Sequence, residues 1–253
     1  MVCGRPLEKG SEALFDGAAR TVRCVECQPQ KELAINTGSA GASALREYQR
    51  RRTALETRMK ARFGDLIGGV ALALAGEPQS TRAWARGSIG EQKLAEALAG
   101  VEDLVVLHDR SVPKSRGNID HIVIAPAGVF VVDAERYGGL IGIRDHGGLF
   151  SHDDRLYVGS RDCSHLATNT EWQIAAVRRA LATADAALSE IPVTPVLCFI
   201  DGEWLLLRPP ESYKGVRLEG KRSIKRLVSG SSVLSNNQID RVSRILATAF
   251  PAK

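Results

Sequence analysis

The chain has 253 residues, of which 44% are hydrophobic, and a formal net charge of +5. This composition excludes an intrinsically disordered protein, because the apolar content is sufficient for a full core, and the length favours one main domain plus an appendage. A charge of +5 over this length permits a polyanionic partner but does not by itself indicate one.

A membrane or secreted protein is not expected. The longest apolar stretch, residues 63–75, is too short for a membrane span and is interrupted by Asp65 and two glycines. The first residues lack the hydrophobic region of a signal peptide. Five cysteines, an odd number, favour a reducing compartment over a disulfide framework. We therefore predict a cytoplasmic protein with no membrane partner.

Residues 1–30 are predicted to form a small cysteine unit that resembles a remnant of a zinc ribbon. Cys24 and Cys27 have the spacing of a zinc knuckle, and Cys3 stands upstream as a third thiolate. No fourth ligand lies nearby. A Zn²⁺ site of three thiolates, inert thiols and a redox pair therefore remain open.

Residues 31–80 are predicted to contain a small-residue linker and then a basic helix from about residue 42 to residue 62. Repeats of arginine at four-residue spacing place like charges on one helix face. This face either contacts phosphate groups or is simply solvated. The candidate nucleic-acid contacts on it are Arg46, Arg50, Arg51, Arg52 and Arg58.

Residues 81–207 are predicted to form the core domain, and residues 208–253 a C-terminal extension that closes with a helix at about 239–250. A helix with Glu91 at its start, where the helix dipole would stabilise the carboxylate, precedes a strand at 104–108. A loop over residues 112–117 adds two further candidate nucleic-acid contacts, Lys114 and Arg116. The alternation of helices and strands predicts an α/β fold with a mixed sheet.

Two apolar runs, 118–124 and 128–135, flank a turn signal and predict a β-hairpin that carries Asp120, Asp133 and Glu135. With a loop of two or four residues, paired positions sum to 253, and Asp120 faces Asp133 across the strands. Pro126 disfavours the two-residue loop, so we expect four residues; three would separate the two aspartates. Paired acids on rigid strands favour a divalent-metal site, and solvated acids are the alternative.

The region from about Gly87 to Phe199 resembles the nuclease-related (NERD) domain, a branch of the PD-(D/E)-x-K nuclease superfamily. The cysteine unit and basic helix are similar to the N-terminal extension of actinobacterial NERD proteins. The resemblance of the core rests on an ordered set of motifs: Gly87-x-x-Gly90-Glu91, Asn118-Ile119-Asp120-His121-Ile122, Gly128 through Ala134, Tyr137-x-Gly139, and Asn169 with Gln173.

The resemblance implies a restriction-endonuclease-like sheet flanked by helices and a phosphodiesterase centre that uses Mg²⁺ or Mn²⁺ on nucleic acid, with DNA expected. Asp120 and Asp133 would be the metal-binding acids. Glu91 would be a further ligand or a supporting acid, and Gln173 would support the site from a neighbouring helix.

The family expects a lysine two residues after the second acid, and this chain has Glu135 there. Exchanging a positive for a negative group at the reacting phosphate threatens activity. Some relatives in the superfamily use Glu at this position, as a base or a third metal ligand. The candidates to replace the positive charge in this chain are Arg136, Lys114 and Arg116. The sequence therefore leaves open an active nuclease, a catalytically impaired nucleic-acid-binding module and a structural protein.

Overall fold

The computed structural model describes residues 13–16, 21–24, 34–115, 117–148, 151–204 and 209–253; side chains at 14, 16, 21, 23, 24 and 65–75 are not described. Contacts divide the chain into Met1–Ile35 and Asn36–Lys253. In the first unit, β1 (Ala13–Asp16) pairs antiparallel with β2 (Thr21–Cys24). Cys3, Cys27 and the side chain of Cys24 lie outside the described residues. The predicted boundaries at residues 30, 80 and 207 stay predictions.

Two helices open the second unit. The predicted basic helix is α1 (Ala42–Ala75), which is longer than expected and contains one non-helical residue, Gly64, with φ 78°. Helix α2 (Gln79–Leu98) begins directly after Pro78. Glu91 therefore lies well inside α2, and the predicted position at a helix start is wrong. No helix among the described residues is long and apolar enough to cross a membrane.

The remaining elements follow in an alternating order of strands and helices. After α2 come β3 (Val105–Ser111), β4 (Asn118–Ala125), β5 (Gly128–Glu135), β6 (Gly139–Asp145), β7 (Asp154–Val158) and β8 (Arg161–Asp162). Helices α3 (His165–Asn169) and α4 (Glu171–Ala184) and a short 3₁₀ turn (Ala186–Glu190) precede the last elements, which are β9 (Val193–Phe199), β10 (Gly202–Trp204), β11 (Ser212–Tyr213), β12 (Val216–Gly220), α5 (Ser223–Val228) and α6 (Asn236–Ala249).

The main sheet has six strands in the order β11-β12-β9-β5-β4-β3. Strands β3, β4 and β5 form an antiparallel meander, whereas β5, β9 and β12 run parallel. A second sheet has the order β10-β6-β7-β8. The predicted α/β class with a mixed sheet and flanking helices is confirmed.

The hairpin of β4 and β5 has the predicted parity. Ala125 pairs with Gly128 and His121 with Val132, so paired positions sum to 253. The loop consists of Pro126 and Ala127 alone, so the expected four-residue loop is wrong. The physical reason is that Gly128, the residue after the loop, adopts a φ of 127°. Because Gly128 has the positive φ, neither loop residue needs one, and Pro126 could not adopt one.

Two apolar clusters hold the second unit together. Helices α2 and α5 cover one face of the main sheet, where Leu94, Leu98, Phe130, Val196 and Ile224 pack together. The other cluster joins the second sheet to β9 and β12. Burial of this kind contributes roughly 1.5–3 kcal/mol per large side chain. The central strands are therefore a rigid platform for the polar residues that they carry.

Candidate functional site

Three aspartates lie on three adjacent strands of the main sheet. The pairs His108–His121 and Arg110–Ile119 place Asp109 of β3 opposite Asp120 of β4. The register of β4 and β5, extended by one position, places Asp120 opposite Asp133, and the two carboxyl groups are hydrogen-bonded. We call Asp109, Asp120, Asp133 and Glu135 the acid row. Glu135 follows Asp133 by two residues and shares its face of the sheet.

Glu91 of α2 joins the acid row from outside the sheet. Its Oε2 accepts a hydrogen bond of 3.0 Å from the backbone N–H of Gly41, just before α1. Asp109 Oδ2 accepts one of 2.6 Å from the N–H of Ser43 in the first turn of α1. The positive end of the α1 dipole is thus held by two carboxylates, each from a distant part of the chain.

Asn118 connects two members of the acid row. Its side-chain amide donates to Asp109 Oδ1 at 3.0 Å and to Asp120 Oδ1 at 3.4 Å. Gln173 of α4 is buried, and its amide donates to the backbone oxygen of Asn118 at 3.4 Å. Gln173 therefore reaches the acids only through Asn118, which it positions.

Burial and neighbouring acids raise the pKa values of three carboxyl groups, those of Asp120, Glu135 and Glu91. Burial raises the pKa of Asp120 well above its ordinary value, and Asp133, Glu91 and Glu135 raise it further. Burial, with Asp133 second, raises the pKa of Glu135 to about 8. Burial raises the pKa of Glu91 to about 7 against the opposing hydrogen bond from Gly41. No cation in the described part of the chain contributes to any of these three shifts.

A divalent cation fits this set in charge and in donor chemistry, because carboxylate oxygens are the ligands that Mg²⁺ and Mn²⁺ prefer. The side chains do not, however, form a closed coordination sphere. Among the described residues, no three His, Cys, Asp or Glu side chains lie close enough together to hold one metal ion. The acids are assembled by strand register, and their oxygens have not converged on one point.

Of the three cations predicted to compensate for Glu135, the structure describes Arg136 and Lys114. Arg136 forms a salt bridge of 2.6 Å with Asp201, Lys114 lies in the exposed 112–115 loop, and Arg116 lies outside the described residues. Sequence reasoning missed Arg161 of β8, whose guanidinium carbon lies 5.2 Å from the ring centre of Tyr137. Burial and then Glu135 raise the pKa of Tyr137, and contact with Arg161 opposes this. Tyr137 therefore lies between Glu135 and an arginine.

Sequence reasoning also missed Asp109. A single acid in an apolar strand carries no motif, and its φ of 47° is invisible in the sequence. Its side chain is nevertheless almost fully buried, at 1% exposure. A buried carboxylate that accepts three protein hydrogen bonds or ion contacts needs those partners to offset its desolvation.

The arginines of α1 are largely neutralised by acids of the same region. Arg50 and Arg51 both bond to Glu47, at 2.7 Å and 2.6 Å. Arg52 bonds to Glu56 at 3.1 Å, and Arg46 lies 3.6 Å from Asp109. Arg58 donates to the backbone oxygen of Ala54. The helix face is exposed, but its excess positive charge is smaller than the sequence suggests.

Two histidines form a separate polar contact on the opposite side of β4. His121 alternates with Asp120 along the strand, is fully buried, and lies with its Nδ1 2.8 Å from Nδ1 of His108. Burial, with a contribution from His108, lowers the pKa of His121 to about 3. The ring of His121 is therefore neutral at physiological pH and belongs to the core. His108 is half-buried, and burial, followed by Arg110, lowers its pKa as well.

Comparison with known families identifies the region that contains these acids. Residues 86–200 match the family model of the nuclease-related domain, NERD. The chain therefore contains a region that is similar to NERD domains, and this region spans less than half of its length. A search of curated proteins and a search of solved structures found no match. The NERD match indicates a nuclease-related function, interaction with nucleic acid and general use of a divalent metal. Glu91, Gln173 and the whole acid row lie within it, whereas α1 and α6 lie outside.

Proposed function

We propose that this protein hydrolyses phosphodiester bonds in nucleic acid, with DNA as the expected substrate, in a reaction that depends on Mg²⁺ or Mn²⁺. The observation that carries the proposal is the set of carboxyl groups on neighbouring strands of the matched region. Burial and neighbouring acids raise the pKa values of Asp120 and Glu135, and no cation among the described residues contributes to either shift. Titratable groups perturbed in this way concentrate at functional sites.

Asp120 and Asp133 would hold the metal, Glu135 would be a third ligand, and Glu91 a further acid. When bound, the ion supplies Lewis-acid stabilisation of the phosphate and a water of lowered pKa. Asn118 orients Asp120 through its amide bond, and Gln173 fixes Asn118 from α4.

We further propose that Arg161 provides the positive charge that a lysine provides elsewhere in the family. Its guanidinium is exposed and rests against Tyr137, two residues after Glu135. From this side it can contact the scissile phosphate, which an arginine binds through paired hydrogen bonds.

Nucleic acid would approach over the basic groups near the acid row. The proposed contacts are Lys114 and Arg116 of the loop and the exposed arginines of α1, namely Arg46, Arg50, Arg51, Arg52 and Arg58. Each phosphate contact adds to the salt dependence of binding. We also propose a cytoplasmic location, since five cysteines, an odd number, favour a reducing compartment.

A cleavage assay with wild-type protein and two charge-matched variants tests the main proposal. Asp120→Asn should lower Mg²⁺- or Mn²⁺-dependent cleavage of plasmid and single-stranded DNA by at least about 100-fold, because it removes a ligand charge. Asp154→Asn, which removes the same charge from an exposed strand residue, should leave it unchanged. Cleavage that survives Asp120→Asn would reject the assignment.

A catalytically impaired nucleic-acid-binding module is the second candidate, favoured by Glu135 and by the open arrangement of the acids. It predicts salt-sensitive binding without metal-dependent turnover. Under this alternative, Glu135→Lys should create cleavage activity, because it restores the expected cation beside intact aspartates. Robust hydrolysis by the wild-type protein would exclude it.

Zn²⁺ at Cys3, Cys24 and Cys27 is a separate proposal that rests on their spacing. Purified protein should contain close to one zinc per chain, and Cys24→Ser should lose it. Zinc content that is negligible in the wild-type protein would favour inert thiols.

A further inference from the structure

An exposed tryptophan stands at the edge of the acid row. Trp172 is the second residue of α4, and 39% of its side chain is accessible to solvent. Its ring lies against the backbone of Gly117, where a Cβ atom would come within 2.7 Å of Cη2 and 2.8 Å of Cζ2. Only glycine at position 117 permits this approach. The ring is thus held on one side by the backbone and open on the other.

Two pairs of consecutive residues connect this ring to the acids. Gly117 is followed by Asn118, which donates to Asp120, and Trp172 is followed by Gln173, which donates to the backbone of Asn118. Gly117 and Trp172, which contact each other, are each next in the sequence to a residue that makes one of these hydrogen bonds. The ring therefore cannot move far without disturbing those hydrogen bonds. The position of Trp172 relative to Asp120 is therefore fixed by the fold.

The adjoining loop supplies a cation. Lys114 is exposed and lies three residues before Gly117, with φ 63° at the tip of the turn. The loop is held in shape by the hydroxyl of Ser115, which accepts a bond of 3.0 Å from the N–H of Gly117. A partly exposed indole and an ammonium group three residues before the glycine that the indole contacts can take one base and one phosphate of the same strand.

We propose that Trp172 is a stacking platform for an unpaired base of a single-stranded nucleic acid, with Lys114 at an adjacent phosphate. Each nucleobase presents a π-face, whereas the bases of a duplex are stacked on each other and cannot take up this position. This inference rests on the proposed function and narrows its substrate to single strands or to duplex ends that open at the site.

Trp84 of α2 provides a matched control. It is also 39% exposed, but the guanidinium carbon of Arg51 lies 5.4 Å from its ring centre. Trp84 is thus covered by a cation of its own chain, whereas the described residues place no cation over the ring of Trp172. The proposal therefore concerns Trp172 alone.

The test is metal-free equilibrium binding, measured by fluorescence anisotropy with an oligothymidine of about 12 nucleotides, the length range of a single-strand site. Trp172→Ala should weaken binding about tenfold, which corresponds to about 1.4 kcal/mol. Trp172→Phe should restore most of the affinity, and Trp84→Ala, which uncovers the proposed phosphate contact Arg51, should not weaken binding. With an abasic strand of equal length, Trp172→Ala and wild type should bind equally.

Three outcomes would overturn the inference: equal binding of oligothymidine by wild type and Trp172→Ala, an equal loss for the abasic strand, or no binding by wild type at low salt. Circular dichroism of Trp172→Phe controls for folding. Because these measurements contain no metal, they are separate from hydrolysis. Base-dependent binding without cleavage would contradict the proposed hydrolysis and support the proposed stacking platform.

Discussion

Arginine charges of the basic helix α1 have partners of opposite charge, whereas Asp120 and Glu135 of the acid row do not have such partners among the described residues. On α1, Glu47 bonds to two arginines, and Glu56 bonds to a third. In the acid row, the described residues provide no cation for Asp120 or Glu135, and their pKa values rise instead. The helix contains the larger cluster of charged residues in the sequence. In the folded protein, however, the charges on the sheet are the less stable ones.

This difference shows that a charge cluster is informative when the protein leaves it uncompensated. Exposed ion pairs contribute little, and they explain why a helix rich in arginine can form at all. Half-buried acids with raised pKa values lower stability and need a reason to persist. The uncompensated region is therefore the better candidate for chemistry.

The largest expected difference between the two regions is in the stability that each loses when a glycine is replaced by alanine. Gly41, beside the acid row, and Gly64, within α1, adopt φ 74° and 78°. A Cβ at Gly41 would lie 2.6 Å from the backbone oxygen of Ser88, whereas no described atom lies within 4 Å of one at Gly64. Gly41→Ala should lower the free energy of unfolding by about 3 kcal/mol and Gly64→Ala by about 1 kcal/mol.

Urea unfolding of the two variants measures this difference. Equal losses would show that contact with Ser88 does not fix the segment before α1. Gly64→Ala then serves as the control for backbone strain alone, since both glycines have the same unfavourable φ.

The second expectation concerns pH. Burial and neighbouring acids raise the pKa of Glu135 from an ordinary 4.5 to about 8 and that of Glu91 to about 7. The folded state therefore binds more protons than the unfolded chain, so the metal-free protein should lose stability as pH rises from 4.5 to 8. For these half-buried and buried groups together we expect a loss of about 2 kcal/mol.

Thermal melting across that pH range, with and without millimolar Mg²⁺, measures the effect. Mg²⁺ should raise Tm most at pH 8, where the carboxylates are ionised, and Glu135→Gln should flatten the metal-free profile. A stability that increases between pH 5 and pH 8 without metal would contradict the electrostatic description of the acid row.

The smallest expected effect is on α1. Glu47→Gln should move Tm by no more than about one or two degrees, because its partners are exposed arginines. The same change frees Arg50 and Arg51, and affinity for an oligonucleotide should rise about twofold with a steeper salt dependence. Unchanged affinity would indicate that this face of α1 is only solvated. Glu56→Gln is a parallel variant that frees Arg52.

The sequence predicts those features that depend on periodicity. The apolar runs 118–124 and 128–135 give the hairpin, and a loop with an even number of residues gives the opposition of Asp120 to Asp133. These runs do not give the length of the loop. Gly128 can adopt a positive φ as easily as a negative one, and only the fold selects between them.

Features that depend on distant contacts are beyond such reasoning. Pro78 precedes α2 without a side-chain cap, so no local signal places the helix start there rather than near Glu91. Asp109 and Arg161 belong to no motif, and each joins the site through partners remote in the sequence. Contacts between residues that are distant in the sequence are set by tertiary packing, and the periodicity of the sequence does not encode them.

The carboxylates at the start of α1 have a consequence for the order of folding. Glu91 and Asp109 follow their partners Gly41 and Ser43 by 50 and 66 residues. During synthesis, the first turn of α1 therefore emerges long before either acid that satisfies its free N–H groups. Closing contacts over such separations is entropically expensive and belongs to late folding. A nascent chain that stops before Asp109 carries a helix whose beginning frays, and completion of β3 is the event that fixes it.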